Sequence, residues 1–462
     1  MLTVKIPAGR PSERAYILDT LLGDFLGLPW RSETEQRSDV AIGLEGASGT
    51  LLMPDCFLNM PDGSWLSAAS MPTTPLSKWE AGRHYPEARL VQASLPVIFG
   101  REITTSGADC IALPIDIFGS SFFMLSRYEE VARPAPDKHD RFPATASLAH
   151  AEGFLRRPIV NEYVELLWAA MQRLWPQLKR KVWHGTSFVT CDVDEPFLGS
   201  SRSFSMLARQ AGGDILKRRN FEAAGRRLYG YLGARMGHDR WDPANSFDWM
   251  MDVNERAGNT MAFYLIADKT VPGIDGSAEI EDPFVIDLMS RIHARGHEIG
   301  LHGSYATYRN ADQLRRELVL LRQAMDRAGV QQSDIGARQH FLRWRTPETA
   351  RALDSIGLTY DTTLGYADAP GFRCGTCYSF RLYCLEKSEA LTIRERPLIV
   401  MESSVISDIY LGLGYGGSSI ELMRNIKSAT MQFGGEFVLL WHNSHFMTNR
   451  DRQMYADIVG EL

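Results

Sequence analysis

Apolar runs recur at intervals along the second part of the chain, and each ends in polar or ionisable residues. After residue 185 they are TSFVTCDVD, NTMAFYLIAD, HEIGLHGS, RQHFLRW, LTYDTTLGY, PLIVMESSV and EFVLLWHNS. Several are separated by stretches with apolar residues three and four apart, which is the pattern of amphipathic helices. Near-continuous apolar strands that alternate with such helices are typical of a parallel sheet with both faces covered. The seven runs therefore predict an α/β fold with a closed or nearly closed (β/α) barrel.

The first part of the chain has a different pattern. Up to about residue 180, short strand-like runs such as GTLLMP alternate with Pro-rich turns, and a helical stretch, VNEYVELLWAAMQRLW, follows them. The segment WPQLKRKVWHG reads as a hinge. A chain of 462 residues exceeds the usual size of a single core. We therefore expect residues 1–180 to form a smaller N-terminal α/β domain of unknown role, and residues 186–462 to form the catalytic domain.

A basic segment interrupts the strand and helix pattern at about residues 202–241. It carries nine Lys or Arg against three Asp or Glu, and LKRRNFEAAGRRLYGYLGARM within it reads as an amphipathic helix. One interpretation is a solvated helical insertion. The other is a basic flap over the strand ends that meets an anionic substrate, such as a nucleotide-linked or lipid-diphosphate-linked sugar, or that makes peripheral contact with a membrane surface.

Composition narrows the class of protein. The chain is 44% hydrophobic and 23% charged with a net charge of −6, which indicates an ordinary globular protein and does not favour nucleic acid as a partner. No apolar run approaches the roughly 20 residues of a transmembrane helix, and the first residues lack the order of a secretory signal. These features predict a cytoplasmic protein. Its six cysteines include Cys374 and Cys377, which lack the second pair that a structural zinc site needs.

Ionisable residues stand where the predicted strands end, and chemistry in such barrels is carried at the carboxyl ends of the strands. They are Asp192, Asp194, Asp268, His302, Arg343, Asp361, Glu402 and His442. Asp192 and Asp194 lie two apart in an extended segment, so both side chains point to the same face. Two neighbouring carboxylates repel, and a divalent cation relieves the repulsion. One can then bind the cation while the other is free to act as a base.

The segments TCDVDEP, HEIGLHGS, RWRTP and LLWHN resemble, in this order, the motifs of the polysaccharide deacetylase family, which is also known as the NodB homology domain or carbohydrate esterase family four. The resemblance covers about residues 186–450. It implies a distorted seven-stranded (β/α) barrel of the polysaccharide deacetylase type. The chain looks most like a branch of the family with an extra N-terminal domain, which here contains DIFGSSFFMLSRYEE.

The resemblance also implies roles for individual residues. Asp192 matches the general base of the first motif, and Asp194 matches its metal ligand. His302 matches a ligand histidine of the second motif. Arg343 is the best match for the arginine that orients the base, and His442 for the histidine that acts as general acid. With these roles, water activated by a divalent cation, most simply zinc, attacks an acyl carbon and the leaving amine receives a proton.

One position departs from the family pattern. The second histidine of the His-x-x-x-His motif would fall on Ala306, which cannot bind a metal. Three explanations stay open: His340 at the neighbouring strand end completes the site, or two protein ligands and water hold the metal, or the protein works without one.

The expected activity is the hydrolytic removal of an acyl group, most simply acetyl, from an N-acetylated sugar in a glycan or glycan precursor. An intermediate of bacterial capsule, O-antigen or exopolysaccharide synthesis fits a cytoplasmic location. Asp361, Arg373 and Trp441 are candidates for substrate binding, although structural hydrogen bonds or core packing explain them equally well. The alternatives are a metal-independent hydrolase of another C–N bond, and an inactive carbohydrate-binding protein of a glycan-synthesis complex.

Overall fold

The structure is a computed structural model that describes residues 1–102, 109–198, 203–217 and 219–460. Its strands form a five-stranded sheet, a nine-stranded sheet and a two-stranded pair. The first seven strands are β1 Leu2–Ile6, β2 Trp30–Thr34, β3 Asp39–Leu44, β4 Thr50–Pro54, β5 Lys78–Trp79, β6 Leu95–Pro96 and β7 Cys110–Ala112. The five-stranded sheet has the order β2-β1-β3-β4-β7, and β5 pairs with β6.

The larger sheet contains the predicted strands. Its members are β8 Thr186–Val193, β9 Met261–Leu265, β10 Glu298–Gly303, β11 Gly336–Gln339, β12 Tyr360–Asp361, β13 Phe380–Cys384, β14 Glu389–Glu395, β15 Val400–Met401 and β16 Glu436–Leu440. Their order is β13-β14-β12-β11-β10-β9-β8-β16-β15. All neighbours pair in parallel except β13 and β14. The five residues of β9 are all buried, as expected of a strand covered on both faces.

The sheet differs from the predicted barrel in strand number. Each of the seven apolar runs contributes a strand, but the hairpin of β13 and β14 adds two, and β14 takes the place beside β12. The described strands thus form a curled nine-stranded sheet, and they do not show a seven-stranded barrel. The pattern concealed the hairpin because β14 alternates exposed or half-buried residues with buried ones and contains three charged residues, unlike the continuous apolar runs around it.

Helices connect and cover the strands. In the first part of the chain they are α1 Pro11–Leu18, α2 Ala81–His84, α3 Ile117–Leu125, α4 Tyr128–Ala132, α5 Leu148–Ala151 and α6 Ile159–Leu174. After residue 186 they are α7 Phe204–Leu216, α8 Phe221–Arg235, α9 Phe247–Arg256, α10 Pro283–Ala294, α11 Ala311–Arg327, α12 Glu348–Ser355, α13 Glu402–Ile406, α14 Gly417–Gln432 and α15 Asn449–Gly460. No helix in the described ranges has both the length and the apolar character that crossing a bilayer requires.

The two parts of the chain share one continuous core of buried apolar residues. The Tyr16 hydroxyl of α1 donates a hydrogen bond to the carbonyl of Arg381 in β13 at 2.7 Å. Trp183 stacks on Tyr378 with ring centroids 4.2 Å apart. The division of the chain into two domains near residue 180 stays a prediction. The contacts show that the first part of the chain packs against the edge of the large sheet.

The basic segment contains two helices where the sequence pattern suggested one. Residue 202 and Arg218 lie outside the described residues, and α8 begins only at Phe221. The Asn220 side chain caps α8 by accepting a hydrogen bond from the backbone N–H of Ala223 at 2.9 Å. The insertion is therefore a pair of helices, α7 and α8, that pack against each other after β8.

Candidate active site and metal centre

Four strands of the large sheet bring a cluster of acids and histidines together at their carboxyl ends. Asp192 is in β8 and Asp194 follows it directly, while His302 lies in β10, His340 follows β11 and His442 follows β16. Because parallel strands end at the same edge of a sheet, these residues meet although up to 250 positions separate them. Asp192, His302 and His340 are buried. They line a cavity of about 330 Å³.

Three side chains in this cluster are arranged to hold a cation. One ligand atom each from Asp194, His302 and His340 lies within 4.8 Å of the others. The Oδ1 atom of Asp194 is 3.2 Å from Nε2 of His302 and 3.5 Å from Nε2 of His340. One carboxylate and two imidazoles form a common three-ligand set for catalytic zinc, which leaves a fourth position open.

The other ring nitrogens of the two histidines are already engaged. Nδ1 of His302 is 2.8 Å from the Arg338 carbonyl, and Nδ1 of His340 is 2.9 Å from Oδ1 of Asp275. Each contact places the ring proton on Nδ1, so the lone pair of Nε2 points into the cluster. Nε2 of His302 and Oδ1 of Asp194 are buried without a hydrogen-bond partner. Two orphaned buried atoms aimed at one point fit a divalent cation.

The charges in the cluster support the same conclusion. Burial alone would raise the pKa of Asp194, but His340, His302 and His442 outweigh it and hold this pKa well below its usual value. Burial would lower the pKa of His340, yet Asp194 and Asp275 raise it to about 9. Asp194 is therefore an anion that stabilises positively charged groups beside it. A bound cation would replace the proton on His340.

Asp192 lies beside the metal-ligand set and keeps one oxygen free for it. Its Oδ1 accepts a hydrogen bond from Nη1 of Arg338 at 2.9 Å, while its Oδ2 is 3.6 Å from Nε2 of His302. Arg338 is fully buried and also donates to Thr190 and Thr362. This guanidinium fixes the orientation of Asp192 and leaves Oδ2 facing the cluster.

The arginine expected to orient the base is elsewhere. Arg343 donates to the carbonyls of His139 at 2.7 Å and Tyr305 at 2.6 Å, and among the described residues it forms no hydrogen bond with Asp192. Between it and His340, Phe341 and Leu342 both have left-handed backbone angles, with φ of 62° and 54°. This turn directs Arg343 towards the first part of the chain, so Arg338 takes the position predicted for Arg343. Non-glycine residues with such angles cluster at functional sites.

His442 is held by a carboxylate that the sequence did not link to it. Its Nδ1 is 2.6 Å from Oε1 of the buried Glu402, and Nδ1 of His445 is 2.7 Å from the same oxygen. These three residues also have metal-ligand spacing, but both histidines already bind Glu402 through Nδ1. Burial would lower the pKa of His442, while Glu402, Asp194 and Asp192 raise it to about 10. His442 thus carries a proton on Nε2, 3.7 Å from Oδ2 of Asp194.

The three predicted substrate-binding residues do not line the cavity. Asp361 is fully buried and accepts two hydrogen bonds from Thr363. Arg373 is buried and paired with Glu130 at 2.9 Å. Trp441 is completely buried, with its ring stacked 5.9 Å from Phe446 in the core. Burial gives these residues structural contacts, so the substrate-binding prediction is not supported by their positions.

Other residues form the walls of the cavity. Its lining, besides the acids and histidines, comprises Arg141, Phe341, Leu342, Met401, Ser403, Ser407, Ile409, Tyr410, Leu440 and Ser444. Arg141 comes from the first part of the chain and donates to the carbonyl of Phe341 at 3.1 Å. Ala306 is exposed, and its backbone N–H donates to Oγ1 of Thr270. The acids and histidines of the cavity are therefore surrounded by apolar and polar side chains in equal number.

Comparisons with known proteins give a partial match. Residues 2–176 match a family model described as a family of unknown function, DUF7033. No curated protein matches the chain. A solved structure titled "Crystal structure of putative polysaccharide deacetylase from Mycobacterium smegmatis" is 18% identical over 60% of this chain and 84% of that chain, with a TM-score of 0.38. A likeness of that size carries no argument. The family match covers the part of the chain that precedes the acids and histidines of the site.

Proposed function

We propose that this protein is a hydrolase that removes an acyl group, most simply acetyl, from the nitrogen of a sugar in a glycan or glycan precursor. The observation that carries the proposal is the pairing of a carboxylate that turns one oxygen towards the cluster with a protonated imidazole, around one cation-binding set. Asp192 faces the cluster of Asp194, His302 and His340, and His442 faces it from the neighbouring strand. The order of sequence motifs supports the substrate class by its resemblance to polysaccharide deacetylases.

The residues divide the work of amide hydrolysis between them. A cation held by Asp194, His302 and His340, which we propose to be zinc, would polarise the acyl oxygen and make water more acidic. Asp192 takes the proton of the attacking water through Oδ2, and Arg338 keeps its carboxylate in place. His442 gives its Nε2 proton to the leaving amine, because Glu402 holds the ring through Nδ1. The acid and the base then exchange protonation states and are restored by solvent.

Acetate release tests the proposal. Zinc-loaded protein is incubated with N-acetylated amino sugars that are free, nucleotide-linked or polymeric, and acetate and free amine are quantified. We expect equal amounts of both products from at least one substrate, loss of activity with a chelator, and recovery with zinc. No acetate from any substrate class would reject the function. Full activity after complete removal of metal would instead favour a metal-independent hydrolase.

A further inference from the structure

The two helices of the basic insertion expose large apolar side chains to solvent. Of the 17 large hydrophobic side chains that are exposed in the described residues, nine lie between residues 204 and 236. We call these nine the insertion surface: Phe204, Met206, Ile215, Leu216, Phe221, Leu228, Tyr229, Leu232 and Met236. Leu216 is 81% exposed and Phe221 is 70% exposed. An apolar patch of this kind on a protein surface marks a site of interaction.

The pattern of α8 is the reverse of that of a helix in a water-soluble protein. Its buried residues are small, namely Ala223, Ala224, Gly230 and Gly233. A Cβ at Gly233 would lie only 2.7 Å from the Cβ of Trp241, so the helix packs closely on that side. Phe221, Leu228, Leu232 and Met236 follow at spacings of seven, four and four, which places them in one stripe on the solvent side. The spacing of the large apolar residues in the sequence therefore places them on the solvent side of the helix.

The charge of the insertion indicates which kind of partner the insertion surface can bind. Residues 202–241 carry nine Lys or Arg and three Asp or Glu, a formal charge of +6 in a chain whose total is −6. The remaining residues consequently carry −12. Arg226 and Arg227 are paired with Glu222 and Asp214. Lys217 and Arg219 are exposed at the tip between α7 and α8, next in sequence to Leu216 and close to Phe221, and neither forms an ion pair within the described part of the chain.

The insertion surface lies by the opening of the candidate site. Nη2 of Arg226 donates to Oδ1 of Asn449 at 3.0 Å, and Asn449 begins the helix that follows His442 and His445. A second group of exposed apolar residues comes from the loop after α13, and it consists of Ile409, Leu411, Leu413 and Tyr415. Ile409 lines the cavity itself. The loop after α13 thus borders the cavity, and α8 contacts the helix that follows the histidines of the site.

We propose that the insertion surface docks on an anionic lipid bilayer, with its apolar stripe among the acyl chains and Lys217 and Arg219 at the headgroups. Helices that combine an exposed apolar face with Lys and Arg lie in the bilayer interface in this way. Anionic headgroups match the positive charge of the insertion and repel the acidic remainder of the molecule, which orients the protein. The site then opens towards the membrane surface. This inference does not rest on the proposed reaction.

Vesicle flotation tests the docking. Phosphatidylcholine vesicles with and without phosphatidylglycerol are mixed with the full chain, and the bound fraction is measured at low and high salt. We expect binding only to the vesicles that contain phosphatidylglycerol, and weaker binding at high salt. Leu216→Ser with Phe221→Ser should weaken binding by about tenfold or more, since each residue loses the burial of a large side chain. Lys217→Gln with Arg219→Gln should weaken it by about tenfold.

Matched variants control for surface changes as such. Val182→Ser with Val319→Ser replaces two exposed apolar residues elsewhere, and Arg256→Gln with Arg322→Gln replaces two exposed cations. Both control pairs should bind vesicles like the parent. No binding of the parent to anionic vesicles, or equal losses in the control pairs, would overturn the proposal. So would self-association without lipid that Leu216→Ser with Phe221→Ser abolishes, because a second copy would then cover the surface.

Discussion

His340 is the residue that we propose to complete a site that its sequence motif leaves incomplete. The motif offers Ala306 where a second histidine is usual, yet Nε2 of His340 points at Asp194 from the neighbouring strand. Asp275 holds the ring from the other side. The direction of both nitrogens follows from contacts between distant parts of the chain, so the sequence suggested the residue but not its orientation.

Metal analysis of variants tests this assignment. His340→Ala should lower the zinc bound per protein to the same extent as His302→Ala, because each removes one of three ligands. Asp275→Asn should weaken zinc binding by roughly 10- to 100-fold through the ring that it orients. His445→Ala is the control and should keep its zinc. Full zinc in His340→Ala together with loss in His302→Ala would exclude His340 from the metal site.

Only the three-dimensional structure can show whether Arg338 or Arg343 orients Asp192, because the two arginines lie two residues before and three residues after His340. The left-handed turn at Phe341 and Leu342 decides which of them faces Asp192, and nothing in the run of residue types announces that turn. We expect Arg338→Lys to lower kcat by roughly 100-fold with little change in KM, since a slight misplacement of a reacting group has an effect of that size. Arg343→Lys should leave kcat nearly unchanged. The reverse order of the two effects would return the positioning role to Arg343.

At the scale of elements, the seven apolar runs were sufficient to predict seven strands and the edge where the site lies. The hairpin of β13 and β14 escaped prediction because β14 is only partly buried and both strands contain charged residues. The residues that hold the site side chains in place escaped for a related reason. Arg338 and Asp275 were not predicted, and Glu402 was predicted at a strand end but not as the partner of His442, because periodicity carries no information about side chains that meet across the sheet.

Helix α11 follows the strand of His302 and binds the loop that comes after this histidine. The stability that this interaction provides depends on pH. Glu317 in α11 accepts hydrogen bonds from the Ser304 backbone N–H at 3.0 Å and from the Ser304 hydroxyl at 2.5 Å. Burial raises the pKa of Glu317 from 4.5 to about 7. Because the pKa of Glu317 is higher in the folded state than in the unfolded state, its contribution to the free energy of unfolding is fully present below pH 4.5. This contribution is lost as the pH rises through about 7.

Chemical denaturation of metal-free protein at pH 5 and pH 8 measures this effect. The parent should lose stability on the order of 2–3 kcal/mol from this group over that interval. The side chain of the Glu317→Gln variant cannot ionise, so the free energy of unfolding of this variant should fall by that much less than that of the parent over the same interval. Glu421→Gln, which changes an exposed carboxylate in α14, should behave like the parent. An identical loss in Glu317→Gln and the parent would show that Glu317 does not titrate in this range.

At the scale of the whole molecule, the first part of the chain is joined to the large sheet by buried contacts of both kinds. Apolar residues from both parts form one core, and the buried Glu130 of α4 binds Arg373, which precedes β13. Arg141 brings the first part to the wall of the cavity. The hinge-like sequence near residue 180 suggested two separable domains, but composition cannot show how much surface two domains bury against each other.

Calorimetry tests whether the chain unfolds as one unit. Because the core is continuous, we expect a single transition, and we expect Arg373→Met to lower its midpoint since the variant removes one of the two buried guanidinium groups, Arg127 and Arg373, that neutralise Glu130. Val182→Ser should not change the midpoint. Two well-separated transitions in the parent would show that the parts fold independently in spite of their contacts.

The central claim is that Asp192 acts as a base beside a cation held by Asp194, His302 and His340. The most direct test compares acetate release by the parent and by Asp192→Asn at equal zinc content, on the substrate that the parent hydrolyses best. We expect kcat to fall by about 10²- to 10⁴-fold in the variant, because an amide is nearly isosteric with the carboxylate but cannot accept the proton of water. Equal rates for the two proteins with equal zinc would contradict it.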